Sequence, residues 1–153
     1  MSDDLRQVEE WAAALLANLT PAERRRANRR VAMELRRSQA QRIAIQRNPD
    51  GSPFAPRKQR KDLRGKRGRI KRAMFMRLRN TRNLKAKGTA DEIAVGFFGR
   101  VARIARVHQR GLSDRPGPGA PEVRYPQRVL LGFTQDDIEL VRDALTRHLS
   151  EGL

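Results

Sequence analysis

Leu84-Lys-Ala-Lys-Gly-Thr-Ala-Asp-Glu-Ile-Ala-Val-Gly-Phe-Phe98 is the stretch on which the fold class turns. Ile93, Val95 and Phe97 alternate with smaller residues, the period of a strand with one buried face. Leu84–Ala86 supplies a second short run, and Lys87-Gly-Thr-Ala-Asp91 between them has the composition of a hairpin turn. Immediately downstream the period changes. Val101, Ile104, Ala105 and His108 fall on one helical face, and Gly111 provides the stop, so residues 101–109 are predicted as a helix. A hairpin followed by a helix excludes an all-helical chain.

Outward toward the N-terminus the pattern is helical. Leu5, Val8, Ala12, Leu15 and Leu19 form a stripe flanked by Trp11 and Leu16, with Ser2 as a cap and Asp3 and Asp4 at the positive end of the dipole. Thr20-Pro-Ala-Glu23 is a helix start: a capping hydroxyl, proline at the first helical position and a glutamate that reaches back. That helix should run to about Gln46 on Ala27, Val31, Leu35 and Ile43, until Asn48-Pro-Asp-Gly51 ends it. Ile70, Ala73, Met74, Arg77 and Leu78 suggest a further short helix. On the C-terminal side, residues 113–122 hold three prolines and two glycines and read as an irregular loop. Residues 123–131 read as a strand that Pro126 pushes to a sheet edge. Thr134-Gln-Asp-Asp137 caps a last helix striped by Ile138, Val141, Leu145 and Leu149. The expected fold is α+β: an N-terminal helical pair and a C-terminal helix around a small, mostly antiparallel sheet. It forms a single domain over residues 1–153, with a basic extended arm at about 48–72.

Charge singles out that arm. The chain of 153 residues carries 34 Lys and Arg against 17 Asp and Glu, a net +17, and residues 21–90 hold all of the excess. Residues 57–72 contain ten cations and one acid, with only Leu63 and Ile70 as large apolar groups. Such a segment buries too little to offset its own ordering entropy and is expected to order on something negative. Leu, Ile, Val and Phe make up 34 of 153 residues, just above the roughly 20% typical of disordered charged chains, so any core is small.

Chemistry of the catalytic kind finds little support. Without cysteine, disulfides, thiol catalysis and thiolate metal sites are excluded. Of two histidines, His108 reads as a packing or interface residue, and His148 sits where the last turn of a helix favours a cation. Asp136 and Asp137 are explained by capping. No phosphate-binding loop, nucleophile elbow or His-Glu-x-x-His motif occurs, so no catalytic, metal or cofactor site is expected. No apolar run approaches the ~18 residues of a membrane span, and Asp3 and Asp4 stand where a signal peptide needs positive charge. The expectation is a soluble chain made inside the cell, with no membrane contact. The arm fits two partners: nucleic-acid phosphates, met without sequence preference because stacking aromatics are absent, or the acidic surface of a protein assembly.

Several runs occur in order along nearly the whole chain: Asn48-Pro-Asp-Gly-Ser-Pro-Phe-Ala-Pro-Arg-Lys58, Met74-Phe75, Val95-Gly-Phe97, Arg103-Ile-Ala-Arg-Val-His-Gln-Arg-Gly111 and Tyr125-Pro-Gln-Arg-Val-Leu-Leu-Gly132. This succession resembles the phage virion morphogenesis family, in its S-type branch of tail completion proteins of contractile-tailed phages and tail-like bacteriocins. The resemblance implies a structural protein, not an enzyme. It would complete the head-proximal end of the tail as a ring, commonly a hexamer, and offer a head-joining surface. Implied partners are further copies of itself, tail tube or sheath proteins, and a head connector where a head exists, with nonspecific DNA contact as the alternative. The implied location is the host bacterial cytoplasm during assembly and then the particle. On this reading Arg57, Lys58, Arg60, Lys61, Arg64, Lys66, Arg67 and Arg69 meet partner carboxylates. Pro53, Phe54 and Pro56 either anchor the arm on a partner or, for Phe54, pack on the chain's own helix. Arg103, Arg106 and His108 are candidate contacts between subunits.

Overall fold

The computed structural model describes residues 2–58 and 73–151. In chain order these form α1 (Ser2–Leu16), α2 (Pro21–Ala44), β1 (Leu84–Gly88), β2 (Ile93–Phe97), α3 (Arg100–Arg110), β3 (Ser113–Asp114), β4 (Val123–Arg124) and α4 (Gln135–Glu151). The architecture is α+β, with antiparallel pairing in two two-stranded sheets, β1–β2 and β3–β4.

α2 is the spine. Its start is the expected capping box: the Thr20 amide donates to Glu23 Oε2 at 2.8 Å, and the Glu23 amide donates to Thr20 Oγ1 at 3.2 Å. The β1–β2 hairpin lies against it. At Gly88 the contact is backbone to backbone, since a Cβ there would stand 2.4 Å from the Arg29 nitrogen. Asn28 Nδ2 donates to the Thr89 carbonyl at 2.7 Å and fixes the turn beside the same helix. α4 packs along α2, and α1 packs on α4. Ala27, Val31, Leu35, Ala144 and Leu145 form one buried cluster, joined by Leu15, Leu16, Ile93 and Val95. Ile43, Phe54, Met74, Leu78, Ala105 and Leu130 form a second near the C-terminal end of α2.

Three expectations are corrected. The short helix read from Ile70 to Leu78 is absent where it is described: residues 73–80 make turns, and Ile70 lies outside the described residues. Phe75 has φ 65°, outside the right-handed helix, and both backbone groups of Met74 are engaged elsewhere. Met74 N donates to Gln46 Oε1 at 2.7 Å and Gln46 Nε2 donates to the Met74 carbonyl at 2.8 Å, so a glutamine side chain takes the place of helical partners. The strand read over 123–131 is limited to β4, paired with β3, whose two residues fall in what reads as an irregular loop. Beyond it the chain stays extended without a neighbouring strand. Ile104 also departs from its expected face, being 47% exposed, whereas Ala105 and Val107 are buried. α3 ends as expected at Gly111, with φ 63°.

Candidate functional site

The residues just before the basic segment, its root, are closely built onto the body. Asn48 organises the turn there: its Oδ1 accepts from the Val129 amide at 2.9 Å, while its amide group donates to the carbonyls of Ser52 and Pro53. The Phe54 amide donates to the Gln46 carbonyl at 2.8 Å, and the Phe54 ring is buried in the second cluster. Of the two readings of Phe54, packing in the chain's own core is the one observed. Residues 48–56, read as the beginning of the arm, are therefore seated on the body. Pro53, in a bridge with Arg47, and Pro56 are exposed. The exposed cations of the segment begin at Arg57 and Lys58, while Arg60, Lys61, Arg64, Lys66, Arg67 and Arg69 lie outside the described residues.

Arg128 closes the root. It is buried, with Nε donating to the Ala55 carbonyl at 2.7 Å and Nη2 to the Pro56 carbonyl at 3.0 Å, the last two carbonyls before Arg57. Its Nη1 lies 3.2 Å from His108 Nδ1, which accepts. The guanidinium is held below its ordinary pKa by burial and then by nearby Arg57. His108 stands edge-on between Phe75 (4.8 Å between centroids) and Tyr125 (5.0 Å). Burial, then Arg128, then Arg57 lower its pKa from 6.5 to about 4. The imidazole is thus neutral at physiological pH, an acceptor for Arg128 and a packing piece. Arg128 is a positioning residue that the sequence does not announce, because nothing local marks a guanidinium for carbonyls more than 70 residues away.

The extended segment behind the root is satisfied by side chains in place of a sheet ladder. Gln109 Oε1 accepts from the amides of Leu130 (2.8 Å) and Leu131 (3.0 Å), and Gln39 Oε1 accepts from Gly132 (3.1 Å). Buried Arg42 donates to the carbonyls of Val129 (3.0 Å), Leu130 (2.9 Å) and Arg47 (3.1 Å). Asp137 closes the network, accepting from Ser38, from Gln39 at 3.1 Å and from the Thr134 amide at 3.0 Å. The capping role expected of Asp137 holds, with an added structural role for a fully buried carboxylate.

Beside the root, α3 turns a mixed face outward. Arg103, Arg106 and Arg110 recur at i, i+3 and i+7 and are exposed, Arg103 in an ion pair with Asp114. Phe98 (58%), Ile104 (47%) and Leu112 (40%) are exposed apolar residues on or next to the same helix. Arginine among exposed apolar groups is the composition of protein interfaces. Among the described residues no three acidic or histidine side chains gather to hold a metal, and no helix is long and apolar enough to cross a membrane. The arrangement fixes the backbone up to Pro56, just ahead of exposed Arg57 and Lys58, and leaves arginine and apolar side chains of α3 exposed together.

Comparison with known proteins agrees along the full length. Residues 3–150 match the family described as the phage virion morphogenesis family. The chain is 36% identical over 148 residues to tail completion protein S of Escherichia phage P2, covering 96% of this chain and 98% of that one. No solved structure matches.

Proposed function

Because this chain belongs to the phage virion morphogenesis family and so serves in phage-tail assembly, we propose that it completes the head-proximal end of the tail as a closed, hexameric ring. The observation that carries this reading is the similarity to a tail completion protein over 96% of this chain and 98% of that one. It acts as a structural part without catalysis, in the host cytoplasm during assembly and then in the particle. Its neighbours are tube or sheath subunits on one side and a head connector, where there is a head, on the other.

The geometry supports a docking role for the basic segment. Arg128 and Asn48 fix the backbone up to Pro56, so the cations from Arg57 onward start from a set position and direction. A fixed start reduces the entropy lost when such a segment binds. Its ten cations meet carboxylates of adjoining subunits, and the α3 face with Arg103 and Arg106 contributes to the subunit contact. Deletion of residues 57–69 removes only Arg57 and Lys58 from the described residues and is expected to give tails that are unfinished or of abnormal length by electron microscopy. Tails of normal length with normal head joining would refute the docking role.

A further inference from the structure

Among the described residues the body carries a further cationic feature. The C-terminal half of α2 and the turn before β1 enclose a cleft of about 550 Å³ lined by Arg36, Arg37, Gln41, Arg79, Thr81 and Arg82. Among the described residues no carboxylate lines it. The Nε of Arg79 is buried without a hydrogen-bond partner, and among the described residues none of these four arginines has a carboxylate within 4 Å. The turn that presents Arg79 and Arg82 is held by Asn83 Nδ2 donating to the Arg77 carbonyl at 2.9 Å and by the Leu84 amide donating to the Asn80 carbonyl at 2.8 Å. The cleft is thus a preformed receptor for oxyanions, since guanidinium forks match carboxylates in bidentate geometry.

The matching surface is on the same polypeptide. Asp136, Glu139 and Asp143 recur at i, i+3 and i+7 on α4, all exposed, in a row about 10 Å long. Among the described residues no cation lies within 4 Å of any of them. α1, packed on α4, adds exposed Glu9 and Glu10. Charge is therefore segregated, with α1 and α4 each at a net −3 and α2 at +6. Two complementary surfaces that do not meet within one molecule are the two halves of a head-to-tail contact between copies.

We infer that the arginine cleft of one copy receives the acidic row of α4 of a second copy. This deepens the ring reading and rests on it, by naming the two surfaces that join. Exposed ion pairs are individually weak and screened by salt, so the contact is additive along the row and strongest at low ionic strength.

The test uses the full-length chain, with mass measured in solution at low and high salt and circular dichroism as the folding control. The wild type should form an oligomer that shifts toward the 17.5 kDa monomer as salt rises. A double reversal in the cleft at exposed positions, Arg37→Glu with Arg82→Glu, should shift it to monomer, as should Glu139→Lys with Asp143→Lys on α4. Mixing the two variants should restore the oligomer, because each then offers one native and one swapped surface. An oligomer that forms but ignores both reversals overturns this contact and leaves the ring reading standing. A wild type that stays monomeric at every salt concentration overturns both. Capture of duplex DNA that the cleft reversal abolishes, with the mass unchanged, assigns the cleft to phosphates and overturns the inference.

Discussion

The two halves of α2 are held in different ways. Over Ala27, Val31 and Leu35 the helix meets α4 through Ala144 and Leu145, aliphatic against aliphatic, with ion pairs only at the exposed margin. Over Gln39, Arg42 and Gln46 it meets irregular backbone, and the apolar cluster around Ile43 is ringed by side chains hydrogen-bonded to main-chain groups. The difference follows from the partner. A helix has already satisfied its own amides and carbonyls and offers only an apolar stripe, whereas an extended segment with no neighbouring strand brings both groups of every residue into the interior. Packing suffices for the first, and the second needs donors and acceptors from the helices.

Arg42 gives this contrast its largest expected effect. Arg42→Met keeps volume and apolar stem but leaves the carbonyls of Arg47, Val129 and Leu130 without this donor, while Gln39 Oε1 keeps only the Gly132 amide. Orphaned buried acceptors of this kind should cost about 3–5 kcal/mol in urea unfolding. In the aliphatic half, Leu145→Ala, at a side chain only 1% exposed, should cost about 3 kcal/mol from lost transfer energy and the cavity left behind. If the leucine variant proves the more damaging, the polar bracing is secondary and the contrast between the halves fails.

The same division explains what the sequence discloses. The helical stripes, the Thr20-Pro-Ala-Glu23 box, the Gly111 stop and the alternation of Ile93, Val95 and Phe97 are local patterns, legible because their partners lie within a few residues. Residues 125–131, the greater part of the stretch read as a strand, look like one because their composition is strand-like. What decides their state is whether a neighbouring strand exists, and here Arg42, Gln39 and Gln109 take its place from 21 to 93 residues away. Charge counting misleads for a similar reason. Arg42 belongs by composition to the cationic excess and Arg128 counts among the 34 cations, yet both are buried structural groups. At the site, Phe54 is legible as apolar but not as to whose core it joins, while the take-off of the basic segment is set by Arg128, which carries no local mark.

His108 offers a smaller, pH-dependent test of the polar half. The unfolded ring takes up a proton near pH 6.5, while the folded ring refuses it until about pH 4 because of burial, Arg128 and Arg57. Its contribution is therefore fully present above the unfolded value and is lost as pH falls through that window. A shift of this size is reduced by the solvent access of a half-buried ring, leaving an expected loss of about 1–2 kcal/mol between about pH 7 and pH 4.5. His108→Phe should flatten that slope. Glu23, whose carboxyl is held below its ordinary value by bonds to Thr20, loses its contribution only at lower pH, so the two effects separate. An unchanged slope in the phenylalanine variant would mean that the acid sensitivity arises elsewhere.

The smallest effect belongs to the margin of the aliphatic half, where Arg30 Nη1 and Glu151 Oε2 stand 2.6 Å apart. The short distance invites a structural role. Each group raises or lowers the other's pKa toward the charged state, and yet both are open to solvent. In water the attraction between them is offset by lost hydration and by the rotamer freedom of two long side chains, so such pairs contribute little. Arg30→Ala is therefore expected to leave the urea midpoint unchanged within error, at low and at high salt alike. A clear loss that disappears at high salt would show that electrostatics secures this half too, and the distinction between an aliphatic and a polar end of α2 would give way to one polar network along its whole length.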